Sequence, residues 1–292
     1  MASAAIPSEA PRRGIPWLSA TPYLVLAVAT LPIVVLYVWL LYSSFFERVE
    51  GFTPVGPFTF DNWRFLWDPQ SVPQMRNRPA IVPLTINTFL FAAGSAAIVL
   101  LIASMAGYAL SRIRFPGRRP FLGGILLLHS FPSVTLLIAL FVVLRALGLY
   151  DRLIGVLLAK AAFELPFGIW IMKGFFDTVP IEIEEAAWVD GAHRLRTAFR
   201  IVLPLAGPGV AAAALIAFID AWGDFLIPLI LISDPNKMPI SIGLFRAWTS
   251  YTQVDWGLLG ALSIVYMIPA VVFYLFARRA LARGLAGALA GT

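Results

Sequence analysis

Asp220 and Asp224 stand four residues apart in an otherwise apolar run, with Trp222 and Gly223 between them. On a helix that spacing puts both carboxylates on one face, one turn apart. A carboxylate accepts hydrogen bonds from hydroxyls and an indole packs against C–H faces, so the group suits a sugar. The same carboxylates suit pairing with neighbouring helices or a place near the membrane interface, and the residues alone leave that choice open. Lys160 and Glu164, also four apart, read as an internal pair, although the cation precedes the acid, the less favourable order. Asn87 faces a choice between lining a solute path and an interhelical hydrogen bond, which is worth only about 0.6 kcal/mol in membranes. Asp224, Trp222, Asp220 and Asn87 are the candidates for contact with a solute, and His129 reads as a buried polar group with a partner.

No set of side chains points to catalysis. The chain has no cysteine, which excludes disulfides and thiolate metal sites. His129 and His193, its two histidines, lie too far apart for an obvious metal cluster. No G-x-x-x-x-G-K-[ST] phosphate loop is present.

The elements that must hold these residues are membrane spans. Of 292 residues, 60% are hydrophobic and 13% charged, with a mean hydropathy of +0.83. A soluble domain cannot hide so much apolar surface. A helical span needs about 20 apolar residues. Continuous runs at roughly 20–46, 84–111, 121–147, 153–176, 204–232 and 257–280 meet that length. A barrel would show short alternating strands instead. The expected class is therefore an all-α integral membrane protein with six transmembrane helices, multi-pass and in contact with lipid.

The net charge of +6 follows topology rather than nucleic acid. The short loop RIRFPGRRP, Arg112 to Pro120, carries the strongest basic bias, which places it and both termini on the cytoplasmic side. The first apolar run is too long for a cleaved signal peptide and is expected to be retained. A Pro- and Ala-rich lead covers residues 1–19, the membrane domain 20–283, and a cytoplasmic tail 284–292. An external segment, 47–83, holds the aromatic-rich FTFDNWRFLWD, suited to the membrane interface. A second external segment is expected at 233–256. No internal duplication of the inverted-repeat kind is evident.

Between spans four and five lies a polar loop, 177–203. Pro180 is placed to start a helix, and Glu182, Glu184 and Glu185 oppose its positive end. Gly191 then supplies a bend that other residues resist. The basic HRLRTAFR follows, and Pro204 opens the next span. Two short helices at an angle are expected, with Ala186 and Ala187 keeping one face small enough for a partner to approach.

The stretch EAAWVDGAHRLRTAFRIVLP, Glu185 to Pro204, resembles the EAA loop of the permease subunits of bacterial ABC importers. Glu185, Ala186, Ala187, Asp190, Gly191, Ile201, Leu203 and Pro204 occupy the positions of that pattern. Further stretches resemble the maltose-permease type of the binding-protein-dependent transport family: FDNWRFL (Phe60 to Leu66), GYALSRIRFPGRR (Gly107 to Arg119), AWGDFLIPLIL (Ala221 to Leu231) and RALARGLAGALAG (Arg279 to Gly291). The resemblance covers most of the chain from about residue 20. It implies half of a translocation path for a sugar or oligosaccharide in the bacterial cytoplasmic membrane, with no enzymatic activity in this chain. It also implies a second permease subunit as heterodimer partner, an extracellular solute-binding protein, and two ATPase subunits carrying the ATP and magnesium. In this type the C-terminal tail reaches toward the ATPase dimer, and the plain alternative for Arg283 to Thr292 is a frayed end. An importer of glycerol phosphate or a polyamine is the nearest alternative, and an ATPase-independent secondary transporter a remote one.

Overall fold

The computed structural model describes residues 16–70, 80–249 and 255–290, with side chains throughout except at 16–20, 246–249 and 279–290. Arg12, Arg13, Arg76, Arg78, Gly291 and Thr292 lie outside the described residues. Helices run in the order α1 Pro16–Ser43, α2 Ile81–Arg112, α3 Arg118–His129, α4 Ser133–Ala146, α5 Leu153–Asp177, α6 Ile181–Val189, α7 Arg194–Thr197, α8 Leu203–Leu205, α9 Gly207–Gly223, α10 Leu226–Leu231, α11 Ile240–Thr249 and α12 Trp256–Ala290. α12 continues as helix through most of the expected tail. A π-helical turn, Ala198–Val202, joins α7 to α8.

The chain is helical and membrane-spanning, but two of the expected spans are not straight. Among the described residues α1, α2, α5 and α12 contain stretches long and apolar enough to cross alone, and six spans result if each of two bent pairs counts as one. The expected run 121–147 is broken between α3 and α4, which meet at 92°. Pro132 lacks an amide hydrogen and disfavours helical geometry at Phe131, so the helix stops partway through an otherwise apolar segment. The expected run 204–232 ends at Gly223. Asp224 there adopts an extended backbone, and its Oδ1 accepts the amide of Ile227 at 3.1 Å to start α10. α9 itself meets the preceding α7–α8 segment at 77°.

Three helices, α2, α5 and α9, form the centre. Ala92, Ala96 and Ala103 of α2, Ala159 and Ala161 of α5, and Ala213, Ala217 and Ala221 of α9 are buried where the helices meet. Small residues let helix backbones approach when lipid supplies no hydrophobic drive. One tight place is Gly107, where a Cβ would fall 2.9 Å from the backbone nitrogen of Lys173. Gly107→Val is therefore expected to push α2 off α5 and destabilise the fold by about 1–3 kcal/mol, read as a lower melting temperature in detergent. An unchanged melting temperature would mean that the two helices do not meet there.

α1 packs chiefly beside α12, with the Trp39 and Trp256 rings 6.2 Å apart, and its remaining apolar side chains are exposed, as suits lipid. The segment after α1 folds more than an interfacial stretch requires. β1 Phe46–Glu50 and β2 Thr53–Phe58 pair antiparallel, adding a hairpin to the all-α expectation. Asn62 donates to the carbonyls of Ser44 (3.1 Å) and Phe46 (2.8 Å), and Phe45 stacks on both Phe58 and Trp63.

Part of the expected external segment 233–256 is helical and packed rather than an open loop. Its α11 tucks into the bundle, with Ile240 and Ile242 fully buried and the Ile240 amide donating to Thr88 Oγ1 at 2.8 Å. Asp151, in the turn before α5, has a positive φ of 56°, a conformation aspartate tolerates better than most residues. Its carboxylate accepts the amides of Asp234 and Ser233 and the ammonium of Lys237, and these bonds, the Asp234 amide foremost, hold its carboxyl below the usual range.

Candidate functional site

Two places bring the singled-out residues together. The first is the end of the bundle that carries α6. Pro180 caps the helix rather than occupying its first turn, and Glu182 and Glu184 follow in that turn. The helix ends in paired backbone bonds: the Gly191 amide donates to the Trp188 carbonyl (3.0 Å) and the Ala192 amide to that of Ala187 (2.9 Å). This closure requires a left-handed residue at its centre, and Gly191 has φ +83°. The bend read from the sequence is thus a helix C-cap.

Helical spacing then sorts the side chains. Glu182, Glu185, Ala186 and Val189 share the exposed face, while Glu184 and Ala187 turn inward. Of the residues singled out, Glu185, Ala186, Asp190 and Gly191 are open, and Ala187 is buried rather than part of the outer face. Ile201 belongs to the π turn, and Leu203 and Pro204 to α8, so Pro204 stands three residues before the start of α9 at Gly207. The Arg194 guanidinium lies over the Trp188 ring, 5.2 Å from its centroid, and links the two halves.

Sequence reasoning missed what holds α6 from behind. Glu184 is fully buried against Arg112 and Tyr108 of α2. Those partners lie more than 70 residues away in the chain, and no local spacing connects them.

The second place is a cavity of about 690 Å³ between α3, α5 and α9, lined by His129, Phe131, Lys160, Phe163, Glu164, Ile219, Asp220 and Asp224 among others. Lys160, its side chain 7% exposed, is the hub: Nζ contacts Asp220 directly, Asp224 at 3.0 Å and Glu164 at 3.4 Å. The pair expected within α5 is therefore part of a four-residue cluster that ties α5 to α9. A charge at the bilayer centre costs about 2.5–3.5 kcal/mol on insertion scales, which explains why each carboxylate here touches a cation. Three carboxylates surround one ammonium, so the cavity wall carries an acidic excess. Asp220 keeps 54% of its side chain exposed at this wall, while Asp224 and Glu164 are nearly enclosed.

The other candidates do not join them. Trp222 is 3% exposed, donates its indole N–H to the Tyr266 carbonyl at 3.1 Å, and stacks between Phe218 and Tyr266. It packs α9 on α12 and does not line the cavity, because the helix turns it roughly opposite Asp220. Asn87 donates to the carbonyls of Asn236 (2.7 Å) and Met238 (3.2 Å), fastening the segment before α11. His129 has its partner, Nδ1 lying 3.0 Å from the Phe163 carbonyl oxygen, but it is exposed at the cavity rather than buried.

Residues 99–287 match the family described as "Binding-protein-dependent transport system inner membrane component". That range contains both the α6 loop and the cavity. The chain is 36% identical over 197 residues to the trehalose transport system permease protein SugB of Mycobacterium tuberculosis, covering 66% of this chain and 72% of that one. It is 31% identical over 264 residues to the diacetylchitobiose uptake system permease protein NgcG of Streptomyces coelicolor, covering 89% and 85%. In fold it is similar to a chain of a bacterial ABC transporter involved in the import of the acidic polysaccharide alginate. The TM-score is 0.74 at 21% identity, over 93% of this chain and 99% of the other. The chain belongs to the binding-protein-dependent transport system inner membrane component family, the membrane-spanning permease subunits of ABC importers.

Proposed function

We propose that this permease forms half of the translocation path of an ATP-driven importer for a sugar or oligosaccharide, and that it docks on an ATPase subunit through the exposed face of α6. The observation that carries the reading is that face: Glu185 and Ala186 project from a short helix that is closed at Gly191 and buried on its other side. In this reading a second permease completes the path, two ATPase subunits bind ATP and magnesium, and an extracellular binding protein delivers the solute. The membrane is the bacterial cytoplasmic one, with loops 112–120 and 177–203 and both termini on the cytoplasmic side. Opening and closing of the ATPase dimer moves α6 and swings the bundle between inward- and outward-facing states. Hydroxyls entering the cavity meet the half-exposed Asp220, with Phe131 and Phe163 offering apolar faces.

The test is ATP hydrolysis by the complex reconstituted in lipid with its binding protein, across a panel of solutes. Stimulation by one class of neutral sugar is the expected result. Asp220→Asn should then raise the sugar concentration for half-maximal transport by about tenfold, the loss of one charge-assisted hydrogen bond. Asp224 is the poorer probe because its carboxylate also starts α10. A second reading, a cationic solute such as a polyamine, is favoured by the acidic excess around Lys160. Stimulation by polyamines alone would select it.

A further inference from the structure

Glu184 takes no part in the face that α6 presents. Its side chain is fully buried, and its carboxylate is held from two directions: Tyr108 Oη donates to Oε2 at 2.6 Å, and Arg112 Nε donates to Oε1. Arg112 Nη2 donates onward to the carbonyl of Val179 at 2.8 Å, in the corner where α5 passes into α6. One guanidinium thus ties the last turn of α2 to α6 and to the corner behind it. A second tie lies beside it, where Ser111 Oγ donates to Asp177 Oδ1 at 2.6 Å and Lys173 pairs with the same carboxylate.

A buried carboxylate is a poor way to gain stability, because desolvation offsets most of the attraction. What it supplies is direction. Apolar contacts would let a nine-residue helix swivel between Pro180 and Gly191, whereas a planar guanidinium and a phenol fix its rotation as well as its distance. The network also sits where α2 meets α5 closely: Tyr108 follows Gly107, whose missing side chain leaves room for the Lys173 backbone. From there α2 runs back along α5 and α9, which carry Lys160 and Asp220, with Asp224 directly after α9.

We propose that Glu184, Arg112 and Tyr108 form a positioning strut. It holds α6 at a fixed angle to α2, so that a movement imposed on α6 reaches the helices around the cavity instead of being absorbed at Pro180 and Gly191. The proposal rests on the reading that α6 docks on the ATPase, and the strut itself can be tested apart from it. The chain has no native cysteine, so spin labels at Glu182→Cys on α6 and Met105→Cys on α2 report their separation cleanly.

In the full chain in lipid, one narrow distance distribution is expected, and Glu184→Gln should broaden it at least twofold. Tyr108→Phe, which removes one hydrogen bond without changing volume, is the variant to rely on if Glu184→Gln fails to fold. In the assembled transporter both variants should still bind the ATPase, yet move about tenfold less solute per ATP hydrolysed, as expected for loss of a bond to a charged group. An unchanged distance distribution, or a wild-type ratio of transport to hydrolysis, would overturn the strut. Failure of the wild-type chain to recruit the ATPase would remove the docking reading, while the distance comparison would still decide the strut.

Discussion

Gly191→Trp is expected to abolish coupled transport, by about a hundredfold or more, while the chain still inserts and folds; a docked groove that excludes one bulky side chain costs several kcal/mol of fit. Two effects act at this position. Any side chain at this φ of +83° strains the backbone by about 1–2 kcal/mol, and asparagine less than others. Within the chain itself a Cβ at Gly191 would meet nothing within 4 Å. Alanine there therefore reads the backbone strain alone, and tryptophan adds volume at the exposed position where the ATPase is proposed to dock. The series Gly191→Asn, Gly191→Ala, Gly191→Trp should run from near wild-type through mildly impaired to inactive, measured as transport in proteoliposomes and as ATPase retained on purification. Equal loss for alanine and tryptophan would reduce the glycine to a backbone device and remove the evidence for a docked partner.

Lys160→Met carries the second large effect. It leaves Glu164, Asp220 and Asp224 without their shared cation inside the membrane domain. Removing one partner from a buried ionic network typically destabilises by about 3–5 kcal/mol, a large share of any protein's total. The expected result is little folded protein in detergent, or a melting temperature far below that of the wild type. Asp220→Asn should be mild by comparison, because Asp220 is half-exposed and Lys160 keeps two carboxylates. Adding Asp224→Asn to Lys160→Met should recover part of the loss, since residues in one network are not additive. If Lys160→Met melts like the wild type, the cluster does not hold α5 to α9.

Features legible in the amino-acid sequence are mostly local ones. The C-cap at Gly191 is legible because the glycine, the acidic first turn and the following basic stretch all lie within one loop. The Lys160–Glu164 pair is legible for the same reason, as one turn of one helix. The arrival of Asp220 and Asp224 at the same ammonium is not, because it depends on how α9 lies against α5. Glu184 reads in sequence as one more acid opposing the helix dipole, and only packing against α2 shows that it faces inward. Hydropathy hides the breaks at Pro132 and at Gly223–Asp224, because it reports where a chain prefers lipid and not whether its backbone stays helical. Trp222 is drawn toward the solute by its neighbours in sequence, yet a helix sends adjacent residues to different faces, and its indole is spent on Tyr266.

The most direct test of the account is a single cysteine at Ala186, in a chain that has none of its own, cross-linked in the membrane to the ATPase subunit that purifies with it. The account predicts a covalent adduct from Ala186→Cys and none from Phe52→Cys, which is also exposed but lies in the hairpin region beside the end of α1. No adduct from Ala186, with the ATPase present and active, would contradict the docking of α6.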